Sequence, residues 1–184
     1  MKKNKEINME IKTKTEYTAD RLLRFNTVHV LRNKLRWFLY SGVTIVFFVM
    51  SMLALIKGIK ENDYKGLIFY SAIFAIILLL DAYMLFVSFV IPRFKIKKAP
   101  VVGAILMVIF NDEGIIVNGH TDNTDSNTKQ GYGSIETVIK KGTELYLYIN
   151  KSNAYIVDLS NASLEEVAFL KEKFTANVKN IIWK

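Results

Sequence analysis

Two apolar stretches, 37-WFLYSGVTIVFFVMSMLALI-56 and 67-LIFYSAIFAIILLLDAYMLFVSFVI-91, decide the fold of this 184-residue chain. The first has no charged residue, and the second has one, Asp81. A helix that rises about 1.5 Å per residue crosses a hydrocarbon layer of about 30 Å with roughly 20 residues. The sequence therefore predicts two transmembrane helices, 37–56 and 67–91, joined by an external loop at 57–66.

Lysine and arginine near the ends of the spans predict the orientation of this hairpin, because cytoplasmic loops carry an excess of these residues. The residues that flank the chain ends of the two spans are Arg24, Arg32, Lys34, Arg36, Arg93, Lys95, Lys97 and Lys98, and those in the loop are Lys57, Lys60 and Lys65. The larger group lies on the side of the termini. The distribution predicts a multi-pass membrane protein with both termini in the cytoplasm.

The net charge of +8 does not indicate a nucleic-acid partner once it is divided along the chain. Residues 1–98 carry 17 basic and 7 acidic side chains, a net of +10, whereas residues 99–184 carry 8 and 10, a net of −2. The part that remains outside the membrane therefore lacks the basic surface that binds phosphates. A hydrophobic content of 51% excludes intrinsic disorder, and the absence of cysteine excludes disulfides and thiol chemistry.

The soluble segments predict a small α+β domain. Residues 9–17 alternate between β-branched or aromatic and charged side chains, which indicates a half-buried strand that needs a sheet to join. An amphipathic helix from about residue 20 to 35 completes the cytosolic segment 1–36. In 92–184, five short strands precede a helix from about Ser163 that continues past Val178 to Ile181. Ser163 and Glu166 have the spacing of a capping box. The predicted fold is a β-sandwich or barrel closed by a C-terminal helix. Strand 9–17 is expected to complete its sheet.

The stretch from Gly119 to Gly133 contains no aliphatic residue and predicts a mobile or partner-binding loop. Its acidic and amide residues do not fit a calcium-binding EF-hand loop. Counted from Asp122, position six is Asn127 instead of glycine, and position twelve is Gly133 instead of glutamate.

Several motifs of the chain resemble the YcxB-like family of bacterial membrane proteins. They are the basic segment 93-RFKIKK-98, 109-IFNDEGIIV-117, and the spacing of Tyr132, Ile135 and Val138 before the strand 145-LYLYI-149. The resemblance implies a bacterial cytoplasmic membrane protein whose cytosolic domain is similar to pleckstrin-homology (PH) domains. The family usually has an Ile-Pro-Lys-type step after the last strand, where this chain reads 155-YIVDLS-160. It implies no catalytic residues and no settled activity.

Asp81 is the most distinctive candidate site, because an ionisable group within a span is costly and is a functional candidate by default. It could bind a proton in a small oligomeric transporter, or form a polar contact with Ser41, Thr44 or Ser51 that fixes helix pairing. It could also lie at the interface, if the span occupies only residues 67–86.

The cluster Arg93, Lys95, Lys97 and Lys98 is a second candidate site, for anionic lipid headgroups. The same charges also serve as the orientation signal. The aromatic residues Trp37, Phe38, Tyr40 and Tyr64 are typical of an interfacial belt. The two histidines, His29 and His120, stand apart without a ligand pattern, so no catalytic, metal or cofactor site is expected.

We therefore expect a non-enzymatic membrane protein whose cytosolic domain binds a protein, peptide or lipid partner at the inner leaflet. A second copy of the chain, in a homo-oligomer, is among the expected partners. Two other functions fit the sequence: immunity against a membrane-active peptide or toxin, and transport through an oligomer that uses Asp81.

Overall fold

A computed structural model describes residues 9–32, 34–61, 64–121 and 124–183 of the chain. It divides into two compact units, one formed by residues 1–21 and 99–184 and the other by residues 22–98. The first unit is therefore built from two separate pieces of the chain, and the helical unit is inserted between them. The α+β class is confirmed.

An antiparallel sheet of order β1-β2-β3-β4 forms one layer of the first unit. Its strands are β1 (Ile11–Glu16), β2 (Ile105–Phe110), β3 (Ile115–Thr121) and β4 (Thr124–Gln130). The alternation at 9–17 predicts a strand that joins a sheet, and β1 pairs with β2 along its whole length. Alternate residues of β1 are buried and exposed, as the sequence pattern requires.

A second, mixed sheet has the order β7-β6-β5-β8. Its strands are β5 (Thr137–Lys141), β6 (Glu144–Tyr148), β7 (Ala154–Asp158) and β8 (Asn180–Trp183). Gly142, with φ +61, makes the tight turn between β5 and β6, since this left-handed conformation is readily adopted by glycine. Helix α5 (Leu164–Asn177) begins at the expected capping box, in which the Glu166 amide donates to Ser163 Oγ.

The two sheets and α5 contribute to one hydrophobic core. Phe174 of α5 is fully buried and makes edge-on ring contacts with Phe110 and Tyr132, with ring centroids 6.2 and 5.4 Å away. Tyr132, Ile135 and Val138 are all buried in this cluster. The motif that carries the family resemblance therefore consists of core residues, with the Tyr132 hydroxyl donating to the Asn111 carbonyl at 2.8 Å.

The described strands form two separate sheets, so the barrel alternative is wrong. The reason lies where β1 meets β7. Amides of β7 are bonded by side chains of the N-terminal segment instead of by its backbone: Asp158 N donates to Thr15 Oγ1 at 2.8 Å, and Ile156 N donates to the Tyr17 hydroxyl at 3.1 Å. These bonds cover the edge of β7, but they leave the sheet unclosed. Burial is also the main cause that raises the pKa of Tyr17 to about 12.

Two further expectations for the β unit are wrong. The stretch 119–133, predicted as a loop, belongs largely to β3 and β4, because polar residues form a strand wherever the backbone can pair with a neighbour. The C-terminal helix ends at Asn177, and the chain does not finish with it. Val178 is already extended, and the β-branched residues Ile181 and Ile182 pair in parallel with β5 instead of extending the helical face.

The second unit is helical. It contains most of α1 (Ala19–Arg32), together with α2 (Lys34–Glu61), α3 (Tyr64–Leu85), a π-helical turn (Phe86–Val90) and α4 (Ile91–Ile96). Two continuous helical segments, Tyr40–Glu61 and Tyr64–Ile96, are long and apolar enough to span a membrane. The segments pack against each other, with the rings of Phe48 and Phe74 5.4 Å apart.

The helices extend well beyond the predicted spans. Most of the predicted loop 57–66 is helical, since α2 continues to Glu61 and α3 starts at Tyr64. The limits of an apolar run mark where a hydrocarbon layer would end, but a helix also continues through charged residues. Lys57 and Glu61, one turn apart with their charged atoms 4.0 Å from each other, support such a continuation.

A polar contact accompanies the π-helical turn. Pro92 has no amide hydrogen, so it cannot donate to the carbonyl four residues earlier, which belongs to Ser88. The Asn26 side chain of α1 donates to that carbonyl at 3.1 Å. This hydrogen bond connects α1 with the end of the second long helix inside the helical unit.

Candidate functional site

The β unit contains an ion cluster around Arg21. The Arg21 Nε lies 3.1 Å from Glu144 Oε1, its Nη2 lies 2.5 Å from Asp158 Oδ2, and its Nη1 donates to the Glu16 carbonyl at 2.8 Å. The Tyr146 hydroxyl donates to the other oxygen of Glu144. The Arg21, Glu144 and Asp158 side chains are 15%, 6% and 18% exposed, so the cluster is largely shielded from water.

Register makes Arg21 necessary to this cluster. Glu144 of β6 and Asp158 of β7 are directly opposite each other, and like charges in such a pair repel. The guanidinium lies against both carboxylates and compensates this repulsion. Burial raises the pKa of Asp158, but hydrogen bonds from Ser160 and the charge and hydrogen bond of Arg21 outweigh it, so the pKa lies below its ordinary value of 3.8.

An open cleft of about 320 Å³ lies beside the ion cluster. It is lined by Lys14, Glu16, Thr18, Arg21, Ile105 and Asp158. The lining carries both signs of charge, which suits a small polar group better than an apolar ligand. No sequence pattern predicts either the cluster or the cleft. The one sequence signal was the placement of two acidic residues, Glu144 and Asp158, on strands otherwise rich in apolar residues.

Asp81 lies in the helical unit and contacts two side chains of α2. Its Oδ1 accepts hydrogen bonds from the Tyr40 hydroxyl and, at 3.3 Å, from Thr44 Oγ1. Thr44 is one of the three partners named from the sequence, whereas Tyr40 was assigned to an aromatic belt. Ser51 is buried, with 4% of its surface exposed, but it is not part of this contact as described. The arrangement links the two long helices through a polar contact.

The position of this contact along the hairpin distinguishes the alternatives for Asp81. Asp81 comes 14 residues after Leu67, a helical rise of about 21 Å, and Tyr40 is the first residue of the first candidate span. A hydrocarbon layer is about 30 Å thick. The contact is therefore nearer the end at which the chain enters α2 than the end at which the hairpin turns. Counted from Leu67, this location fits both a pairing contact and an interfacial placement better than a relay at the centre of a span.

The side chains of the basic cluster Arg93, Lys95, Lys97 and Lys98 are all exposed, and so is the ring of Phe94, at 70%. The segment is helical through Ile96. An exposed aromatic ring among cationic side chains is typical of a helix end at a lipid–water interface.

The other candidate residues do not join these sites. His120 Nδ1 lies 2.5 Å from Asp125 Oδ1 on the exposed end of the β3–β4 hairpin, and His29 belongs to α1. Among the described residues, no group of three or more metal-ligating side chains is arranged to hold a metal ion. The side chains of Trp37 and Phe38, and the residues Asp122 and Asn123, lie outside the described part of the chain.

The chain matches no protein-family model, and no curated protein and no solved structure matches it either.

Replacing Arg21 should reverse how the stability of the β unit depends on pH. In the unaltered protein, the lowered pKa of Asp158 contributes stability that is present above pH 3.8 and is lost as the pH falls through the folded pKa. In Arg21→Gln, the facing carboxylates should share a proton, so stability should decrease as the pH rises towards 7. We expect a loss of about 2–4 kcal/mol at pH 7.

The measurement is chemical unfolding of the full chain in detergent micelles between pH 3 and 7.5. Lys12→Gln is the matched control, because its ion pair with Glu10 is exposed on the surface. That variant should remain within about 0.5 kcal/mol of the unaltered protein. An Arg21→Gln protein with the same pH profile as Lys12→Gln would show that the cluster does not hold the two pieces of the unit together.

Removing one hydroxyl should weaken the helix pairing at Asp81. Tyr40→Phe loses a donor to Asp81 Oδ1 and should destabilise the hairpin by about 1 kcal/mol, measured by thermal unfolding in micelles. Tyr83→Phe, whose ring is 62% exposed, is the control and should be neutral. Asp81→Asn keeps an acceptor oxygen and should remain close to normal. If Asp81→Asn instead keeps its stability but loses proton flux in reconstituted vesicles, the result would support a relay.

Proposed function

We propose that the chain is a membrane-anchored interaction protein of the bacterial cytoplasmic membrane. Its helical hairpin crosses the bilayer with both termini in the cytoplasm, and its β unit, which we take to be PH-like, meets a partner at the inner leaflet. The basic cluster at the end of the second long helix contacts anionic headgroups. The observation that carries the proposal is the insertion of two long apolar helices between the two halves of one β unit.

The surface of the helices supports a lipid environment. Across its described length α3 has no buried residue, and large apolar side chains such as Ile68 and Leu79 are 71% and 69% exposed. Soluble proteins rarely expose a continuous apolar surface of this extent. A bilayer would cover it, and the charged residues at Lys57–Glu61 would then lie beyond the hydrocarbon layer.

The double attachment of the β unit supports a role at the membrane surface. The chain leaves the unit after Arg21 and returns to it at Ala99. Two such tethers hold the unit near the bilayer, which raises the effective concentration of anything bound there. The basic cluster lies at the end of the second long helix, where each cationic side chain contributes about 1 kcal/mol towards anionic lipid.

Single cysteines test the topology, because the chain has no cysteine of its own. Glu61→Cys at the end of α2 and Ser152→Cys in the exposed β6–β7 turn should react with an impermeant maleimide from opposite sides of the membrane. In intact spheroplasts, we expect labelling of Glu61→Cys alone, and in inverted vesicles labelling of Ser152→Cys alone. Labelling of both from one side would refute the hairpin topology.

Lipid binding is tested with two variants that each remove four positive charges. One replaces Arg93, Lys95, Lys97 and Lys98 with glutamine, and its control replaces Lys141, Lys151, Lys171 and Lys179, which are equally exposed. We expect anionic lipid added to micelles to raise the melting temperature of the full chain, and this shift to disappear in the first variant alone. Zwitterionic lipid should have little effect. Equal shifts in both variants would exclude headgroup recognition by the cluster.

A further inference from the structure

Strand β4 is the last strand of its sheet, and within the described part of the chain no strand lies beyond it. The other end of the sheet is different, because there the hydroxyls of Thr15 and Tyr17 reach the amides of β7. Seven residues, Thr124–Gln130, thus offer an uncovered edge. A long exposed edge without proline is a template for pairing with another strand.

The register identifies the backbone groups on this edge. Asn111 N donates to Gly114 O at 3.0 Å, so residues 111 and 114 form a hydrogen-bonded pair at the β2–β3 turn. Such pairs recur at every second residue, so odd-numbered residues of β3 face β4. Their partners are even-numbered, for example Thr128 opposite Val117. The amides and carbonyls of Asp125, Asn127 and Lys129 therefore point outward.

The sequence of this edge complements itself. In an antiparallel pair centred on Asn127, with that residue opposite its own copy, the three outward-facing residues meet three outward-facing residues. Three hydrogen-bonded pairs then supply about six backbone hydrogen bonds. Asp125 of each copy lies opposite Lys129 of the other, so opposite charges meet twice. A shift by one residue would place outward-facing backbone groups opposite ones already bonded to β3.

The charged side chains of this edge lie on the face away from the core. Gln130 and Thr128 share a face with their buried partners Ile115 and Val117, so the intervening residues project to solvent. Lys129 Nζ contacts Glu113 Oε2 at 2.9 Å, and Asp125 contacts His120. Exposed pairs of this kind contribute little, and they leave both side chains on the face where a second copy would meet them.

We propose that two copies of this chain associate through β4, which joins their four-stranded sheets into one continuous eight-stranded sheet about a two-fold axis at Asn127. The backbone allows the registers in which odd-numbered residues of the two copies face each other. The partner is a second copy because one of these registers, the one centred on Asn127, pairs opposite charges twice. This association does not depend on lipid binding by the basic cluster.

Asn127→Cys tests the two-fold axis in the purified full chain, where it is the sole thiol. Directly opposed residues of a hydrogen-bonded pair have Cα atoms about 5.5 Å apart, a distance that a disulfide spans. Mild oxidation in micelles should therefore give a covalent dimer in at least tenfold higher yield than Ser152→Cys. Equal yields from the two variants would overturn the proposal. This result is expected if the edge does not pair with a second copy, for example because an extended segment of another protein normally occupies it.

Charge reversal in the Asn127→Cys background tests the register. Asp125→Lys places like charges opposite each other, and so does Lys129→Asp, so each should lower the crosslinking yield about tenfold. The double exchange, Asp125→Lys with Lys129→Asp, restores both opposite pairs and should restore the yield. Circular dichroism of each variant checks that the sheet is intact. A double exchange that stays as low as the single variants, with the sheet intact, would refute this register.

Discussion

The pairing of β1 with β2 is the constraint on which the rest of the structure depends. Ile11 lies opposite Phe110 and Glu16 opposite Ile105, so a strand that precedes the helices shares a sheet with a strand that follows them. The chain between must leave the β unit and come back to it, and two long helices in antiparallel contact satisfy this requirement. Closing so long a loop costs entropy, but the cost grows slowly with length and is offset by burial of β1 in the core.

The same return of the chain organises the polar contacts of both units. Arg21 bonds Asp158, Asn26 bonds Ser88, and Tyr40 bonds Asp81, each joining a residue before the hairpin turn to one after it. In the β unit the contact compensates the facing carboxylates of Glu144 and Asp158. In the helical unit the Asn26 side chain donates to the Ser88 carbonyl, to which Pro92 cannot donate.

The described surface divides into parts with different requirements. Apolar side chains are exposed on the long helices, cationic side chains lie at the end of the second long helix, and polar side chains line β4. A hydrocarbon layer would cover the apolar side chains, anionic headgroups would bind the cationic ones, and a second strand would pair with β4. The positive charge of the chain is concentrated in the part that contains the long helices, since 17 of its 25 lysine and arginine residues lie in residues 1–98.

The sequence by itself determined the features that depend on neighbouring residues: the two apolar helices, the alternation of β1 and the capping box at Ser163. Each is a repeat or a motif within a few turns of chain. Only the tertiary structure decided that residues 124–130 form a strand, that Ile181 pairs with β5, and that Arg21 neutralises two facing carboxylates. A polar segment becomes a strand when a backbone partner is available, and charges 123 and 137 residues apart meet only through the register of distant strands. No local pattern encodes such a register, because it is set by the packing of the whole unit.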